Sequence, residues 1–127
     1  MRTGAGGAGE FFILAKDFGR ASGRVARALG EVYVQTGESF RDAWRQNAVQ
    51  TAGEAGKHYP NSIESTPRIR LGLEVEVGPN PALPQGGMSF EFGSSKQPPH
   101  LDGARAMPAA EALLERRADT VIGLLVP

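Results

Sequence analysis

No cysteine occurs among the 127 residues of this chain. That excludes disulfides and thiolate metal sites, and it fits a reducing compartment. Histidine is scarce: only His58 and His100 are present. No carboxylate stands at ligand spacing beside His58, so a solvent-facing loop histidine is the simpler reading there. An excess of either charge is missing too, since Lys plus Arg and Asp plus Glu each total 14. A protein that grips nucleic acid through phosphates carries a clear positive excess, and this one does not. Aromatic residues make up 7% and apolar residues 40%, enough for one domain with a modest core. No apolar run approaches the roughly 20 residues of a membrane helix. The opening glycines and alanines lack the apolar centre of a signal peptide.

Glycine and proline are plentiful, at 17 and 9. Six of residues 4–9 are Gly or Ala. A phosphate-cradling loop needs a strand before it and tighter spacing, so residues 1–9 read as a flexible arm, and 10–127 as a single α+β domain. From Glu10 to about Ala52 the apolar residues recur at three- and four-residue steps: Phe11, Leu14, Phe18, Ala21, Val25, Leu29, Val32, Thr36, Phe40, Trp44 and Ala48. This is a helical core stripe. Gly30 and Gly37 interrupt it, each costing about 1 kcal/mol in a helix. Two helices, or one bent helix, are expected, with Thr36-Gly37-Glu38-Ser39 as a possible stop and cap.

Residues 51–60 read as a linker and 62–66 as a short strand closed by Pro67. Next comes the clearest alternation in the chain. Ile69, Leu71, Leu73, Val75 and Val77 alternate with Arg68, Arg70, Gly72, Glu74 and Glu76, as in a strand with one buried face. Its polar face runs from basic to acidic. Either this is a solvated face, or Arg68, Arg70, Glu74 and Glu76 meet a complementary stripe on a neighbouring subunit. A proline-rich loop leads to Met88, Phe90 and Phe92, which alternate with Ser89 and Glu91 as a returning antiparallel strand. Gly93 ends it. Ser94, Ser95, Lys96 and Gln97 are too polar for a core, and Pro98 and Pro99 stiffen the chain beyond them. Leu101 is a lone apolar anchor and Asp102 a potential helix cap. The final helix carries Leu113, Leu114, Ala118, Val121, Ile122 and Leu125 on one stripe, with Pro108 dividing a short turn from the main part. The fold expected is α+β: N-terminal helices, a small antiparallel sheet and a C-terminal helix, with helices on one sheet face. A short sheet leaves edges open to another chain.

Chemistry is thin. Glu91 with Asp102 is the best carboxylate pair, and His100 would complete an acid–histidine set, but no motif places a nucleophile beside it. There is no phosphate-binding loop and no zinc spacing. Catalytic, cofactor and metal residues are therefore none.

Two strings do resemble a known family. They are Leu73-Glu74-Val75-Glu76-Val77-Gly78-Pro79 and Phe90-Glu91-Phe92-Gly93-Ser94-Ser95-Lys96-Gln97-Pro98-Pro99-His100-Leu101, followed by a terminal helix. They look like the neck, or tail-completion, proteins of long-tailed bacteriophages. There, a hairpin ending in Val-Gly-Pro precedes Glu-Phe-Gly-Thr or Ser, a basic residue, prolines and an apolar anchor. Gly56-Lys57-His58-Tyr59-Pro60-Asn61-Ser62-Ile63 is similar to versions from phages of actinobacteria, although many members carry an Asp-Thr-Gly-Asn-Leu-like turn there. The resemblance spans roughly 56–125. It implies a non-enzymatic virion protein of the neck, assembled in the host cytoplasm. Such a protein forms a ring of six copies between the head connector or stopper proteins and the tail terminator or tail tube. DNA passes through the channel without sequence-specific binding, and neither cofactor nor membrane is involved. A tail terminator or head-closure subunit is the nearest alternative. A small hydrolase or a nucleic-acid-binding accessory protein is the alternative of another class. The interface residues this reading favours are Arg68, Arg70, Glu74, Glu76, Ser94, Ser95, Lys96, Gln97, Pro98 and Pro99.

Overall fold

A computed structural model describes residues 2–6, 9–16, 23–69, 72–95 and 97–125. The chain starts with two strands, β1 (Arg2–Gly6) and β2 (Gly9–Lys16), paired antiparallel with Gly6 opposite Gly9. Both N-terminal expectations change here. The arm contains a paired strand, and the helix does not begin at Glu10. The apolar run Phe11-Phe12-Ile13-Leu14 is too short to fix its own period, since four consecutive apolar residues suit a buried strand as well as a helix. Pairing with a later strand settles it.

Helix α1 (Gly23–Ala52) is 30 residues long and unbroken. Leu29, Val32, Thr36, Phe40, Trp44 and Ala48 are buried along it, so from Leu29 onward the stripe seen in the sequence is the core face. Gly37 is no break. A Cβ there would stand 2.5 Å from Val75 Cγ1 and 2.7 Å from Ser65 Oγ. Glycine lets the helix lie directly on the sheet, and that packing offsets its poor helix propensity.

Residues 53–58 form turns, and α2 (Tyr59–Ser62) is one helical turn whose Tyr59 and Pro60 are buried. The linker expected there thus ends in the core. Strands β3 (Ile63–Ile69) and β4 (Leu73–Pro79) then form a hairpin with Ile69 opposite Leu73. The single strand expected over 69–77 is two strands joined by residues 70–72. Pro67 lies inside β3 instead of closing a strand before it. It is tolerated because β3 is an edge, so one side of its backbone needs no ladder partner. The sheet order is β1-β2-β4-β3, antiparallel throughout.

The strand expected over 88–92 is instead a helical turn, α3 (Ser89–Phe92). Helix α4 (Asp102–Leu125) runs unbroken through Pro108, so that proline does not divide it. The end of α1 meets the start of α4, and the two helices pack along each other antiparallel. The layers are therefore sheet, α1, α4. Trp44, Tyr59, Phe40, Ile63, Val75 and Val77 are the largest fully buried apolar side chains of the core. The α+β class stands, with helices on one face of the sheet. The other face, carrying Glu64, Thr66, Arg68, Glu74 and Glu76, is polar.

Candidate functional site

The charged stripe folds back on itself. Arg68 lies on β3, directly opposite Glu74 on β4. Its Nη2 sits 3.2 Å from Glu76 Oε2 on the diagonal. Basic and acidic halves that looked like one dipolar strand are thus cross-strand partners within one chain. Arg70 lies outside the described residues. An open polar groove of about 250 Å³ runs along this face past Glu64, Thr66, Arg68, Glu76 and Asn80. Asn80 Nδ2 donates to Glu64 Oε1 at 2.7 Å, so its carboxylates already have partners in the chain.

The second candidate is the 93–101 loop. Its stem is closed by two backbone bonds: His100 N–H donates to the Phe90 carbonyl at 2.9 Å, and Leu101 N–H to the Glu91 carbonyl at 3.1 Å. Ser94 and Gln97 bond each other's backbone, at 2.9 Å and 3.4 Å. Gly93 has φ +85°, and a Cβ there would stand 2.9 Å from Pro99 N; any other residue meets both strain and a clash. Ser94, Ser95, Pro98 and Pro99 are exposed and Gln97 half-buried, while Lys96 lies outside the described residues. Phe92 and Leu101 flank the loop, 43% and 41% exposed. Leu101 takes φ +55°, a left-handed conformation that is unfavourable for a branched side chain.

Beneath the loop the acid–histidine set does come together, with a structural job. Glu91 is fully buried. Its carboxylate accepts from Gly103 N–H at 3.0 Å and Ala104 N–H at 2.9 Å, the free amides of the first turn of α4. Glu91 therefore caps the helix from outside it, a role the sequence assigns more naturally to Asp102. Asp102, also fully buried, instead accepts from Thr51 Oγ1 at 2.9 Å and from Arg105 Nη2 at 2.6 Å. Its carbonyl accepts from Asn47 Nδ2 at 2.9 Å. His100 Nδ1 stands 4.0 Å from Asp102 Oδ2, beyond hydrogen-bond reach. Burial pushes the Glu91 carboxyl up from its ordinary 4.5, the Gly103, Ala104 and Asp102 amides pull it down, and the Asp102 carboxylate pushes it up again; the net direction is up.

Aromatic rings complete the support. Phe90 stacks on Tyr59 at 4.6 Å between centroids and meets His100 at 5.7 Å. Trp44 Nε1 donates to the Tyr59 hydroxyl at 3.3 Å, and burial pushes that phenol well above its usual range. A Cβ on Gly103 would lie 2.7 Å from the Trp44 indole, so α4 starts flat against that ring. The sequence shows Phe90 and Glu91 as an alternating strand, Trp44 on a helical stripe, Tyr59 in a linker and Asp102 as a potential cap; nothing in it signals that Glu91 reaches the start of the downstream helix. Among the described residues no group of three or more His, Asp or Glu side chains could hold a metal ion, and no helix is long and apolar enough to cross a membrane.

The arrangement defines a domain in which two helices and a sheet form the base and a small surface loop is closed at its stem by backbone hydrogen bonds. No family model, curated protein or solved structure matches this chain.

Proposed function

We propose that this chain is a structural protein that acts by contact, presenting the 93–101 loop to a partner, and that it serves in the neck of a long-tailed phage. The carrying observation is the loop itself. Its stem is closed by backbone bonds, Pro98 and Pro99 limit its freedom, and Phe92 and Leu101 expose apolar surface beside it. A loop ordered in advance loses little entropy on binding. Its acid–histidine set supports a non-enzymatic reading, because Glu91 and Asp102 are both engaged at the start of α4. The resemblance of the 73–79 and 90–101 strings to neck proteins adds the setting. In it, copies form a ring between head connector and tail tube, and DNA passes through.

Replacing both Pro98 and Pro99 by glycine tests this. The monomer should keep its circular dichroism and its melting temperature within a few degrees, while the yield of tailed particles falls. Wild-type yields from a stably folded double variant would overturn the contact role. Finding the chain away from the head–tail joint in labelled particles would overturn the location.

A further inference from the structure

We propose that Glu91 is the positioning residue of the 93–101 loop: its buried carboxylate fastens the loop's stem to the first turn of α4, so that Phe92, Pro98, Pro99 and Leu101 meet a partner in one pose. This rests on the contact role above but concerns the loop's own order, which is measurable in the isolated protein. Glu91 holds both elements at once. Its backbone carbonyl takes the Leu101 N–H and its side chain takes Gly103 and Ala104. Leu101, at the first of these attachments and two residues before the second, is held at φ +55°. Such a conformation is disfavoured for a residue with a bulky side chain and persists only where its surroundings impose it. Here the strained residue is one of the two apolar groups beside the exposed loop.

The fastening depends on charge. The Glu91 carboxyl feels the Asp102 carboxylate from α4 and the Tyr59 phenol from α2, and Asp102 in turn meets Arg105 from α4, Thr51 and Asn47 from α1 and, at 4.0 Å, His100 from the loop. Only Arg105, half-exposed, brings a fixed positive charge. Arg105 bonds Asp102 and not Glu91, so burial and the neighbouring Asp102 charge favour a proton on Glu91 against the pull of the helix-start amides. With the Glu91 carboxyl displaced upward, the folded form binds more protons than the unfolded chain above pH 4.5. The fastened state accordingly weakens as pH rises through that window.

Trp44 is the chain's one tryptophan, and Gly103 packs on its indole, so its emission reports on the seating of α4. The experiment compares wild type with Glu91→Met, which keeps the side chain's length but offers the amides no acceptor oxygen and nothing to titrate. Hydrogen exchange, corrected to protection factors, is followed at the His100, Leu101 and Ala104 amides and in mid-α1, alongside Trp44 emission from pH 4.5 to 8. The expected result is about tenfold lower protection at the three amides, unchanged protection in mid-α1, and a wild-type loss of protection with rising pH that the variant flattens. Equal protection in the two proteins, or a loss spread evenly through α1, overturns the proposal. If the variant does not fold, wild type decides alone: Leu101 and Ala104 amides that exchange as fast as those of an unstructured peptide overturn it.

Discussion

Glu76 and Glu91 are treated in opposite ways by the fold. Glu76 lies on the polar face of a hairpin and meets Arg68, whose side chain remains 47% exposed. Water still reaches Arg68 freely and the Glu76 side chain at its 16% exposed edge, so bringing them together contributes modestly. Glu91 lies in the interior and meets two backbone amides. Neither partner has an alternative there, so the arrangement is all or nothing. The lesson is that the chain's visible charge pattern is energetically minor, whereas a single glutamate hidden in an apparent strand organises the loop. Surface stripes draw the eye because they are repetitive, while buried polar groups matter because they are isolated from water.

Substitution can break this contrast, and the largest effect belongs to Glu91→Ala. It strands the Gly103 and Ala104 amides, each worth about 1–3 kcal/mol when buried without a partner. A loss of about 3 kcal/mol in urea-unfolding stability is expected; a loss under 1 would show that water replaces the carboxylate freely. Next is Gly103→Ala, whose methyl group must displace the Trp44 ring or the start of α4. Overpacking of this kind costs about 1–3 kcal/mol, and a shifted Trp44 emission should accompany it. Unchanged emission and stability would mean that α4 is not seated on the indole. The smallest effect is that of Arg68→Glu, about 0.2–1 kcal/mol, larger at low salt. Adding Glu76→Lys should restore most of it within the monomer, because the pair is internal. If the double variant recovers nothing in the monomer, the Arg68 side chain is serving another contact.

Part of this was legible in the sequence. The α1 stripe from Leu29 to Ala48 shows its period over many turns, and the α4 stripe includes the buried Leu114. The hairpin hid for a definite reason. Ile69 and Leu73 are cross-strand partners, and three residues separate them. An odd-numbered connection preserves the alternation, so in-out periodicity runs through the turn without a break. At the N-terminus, Phe12 and Leu14 pair with Val77 and Val75, some 60 positions away by sequence number. No local window contains that information, and a four-residue apolar run suits either period. Phe90 and Phe92 alternate as in a strand, yet Phe90 stacks on Tyr59 while Phe92 turns outward.

The sequence by itself determined the α+β class, the core face of the long helix, the stiffness of the Pro98-Pro99 stretch and the absence of disulfide chemistry. These follow from local periodicity and composition, which act over neighbouring residues. Only the tertiary structure decided which charges meet, which strand lies in the sheet's centre, and that Glu91 and not Asp102 caps α4. Those depend on burial. A carboxylate far from water must find whichever donors the packed chain brings beside it, and here these are Gly103 and Ala104 at the start of α4, where Gly103 packs on Trp44.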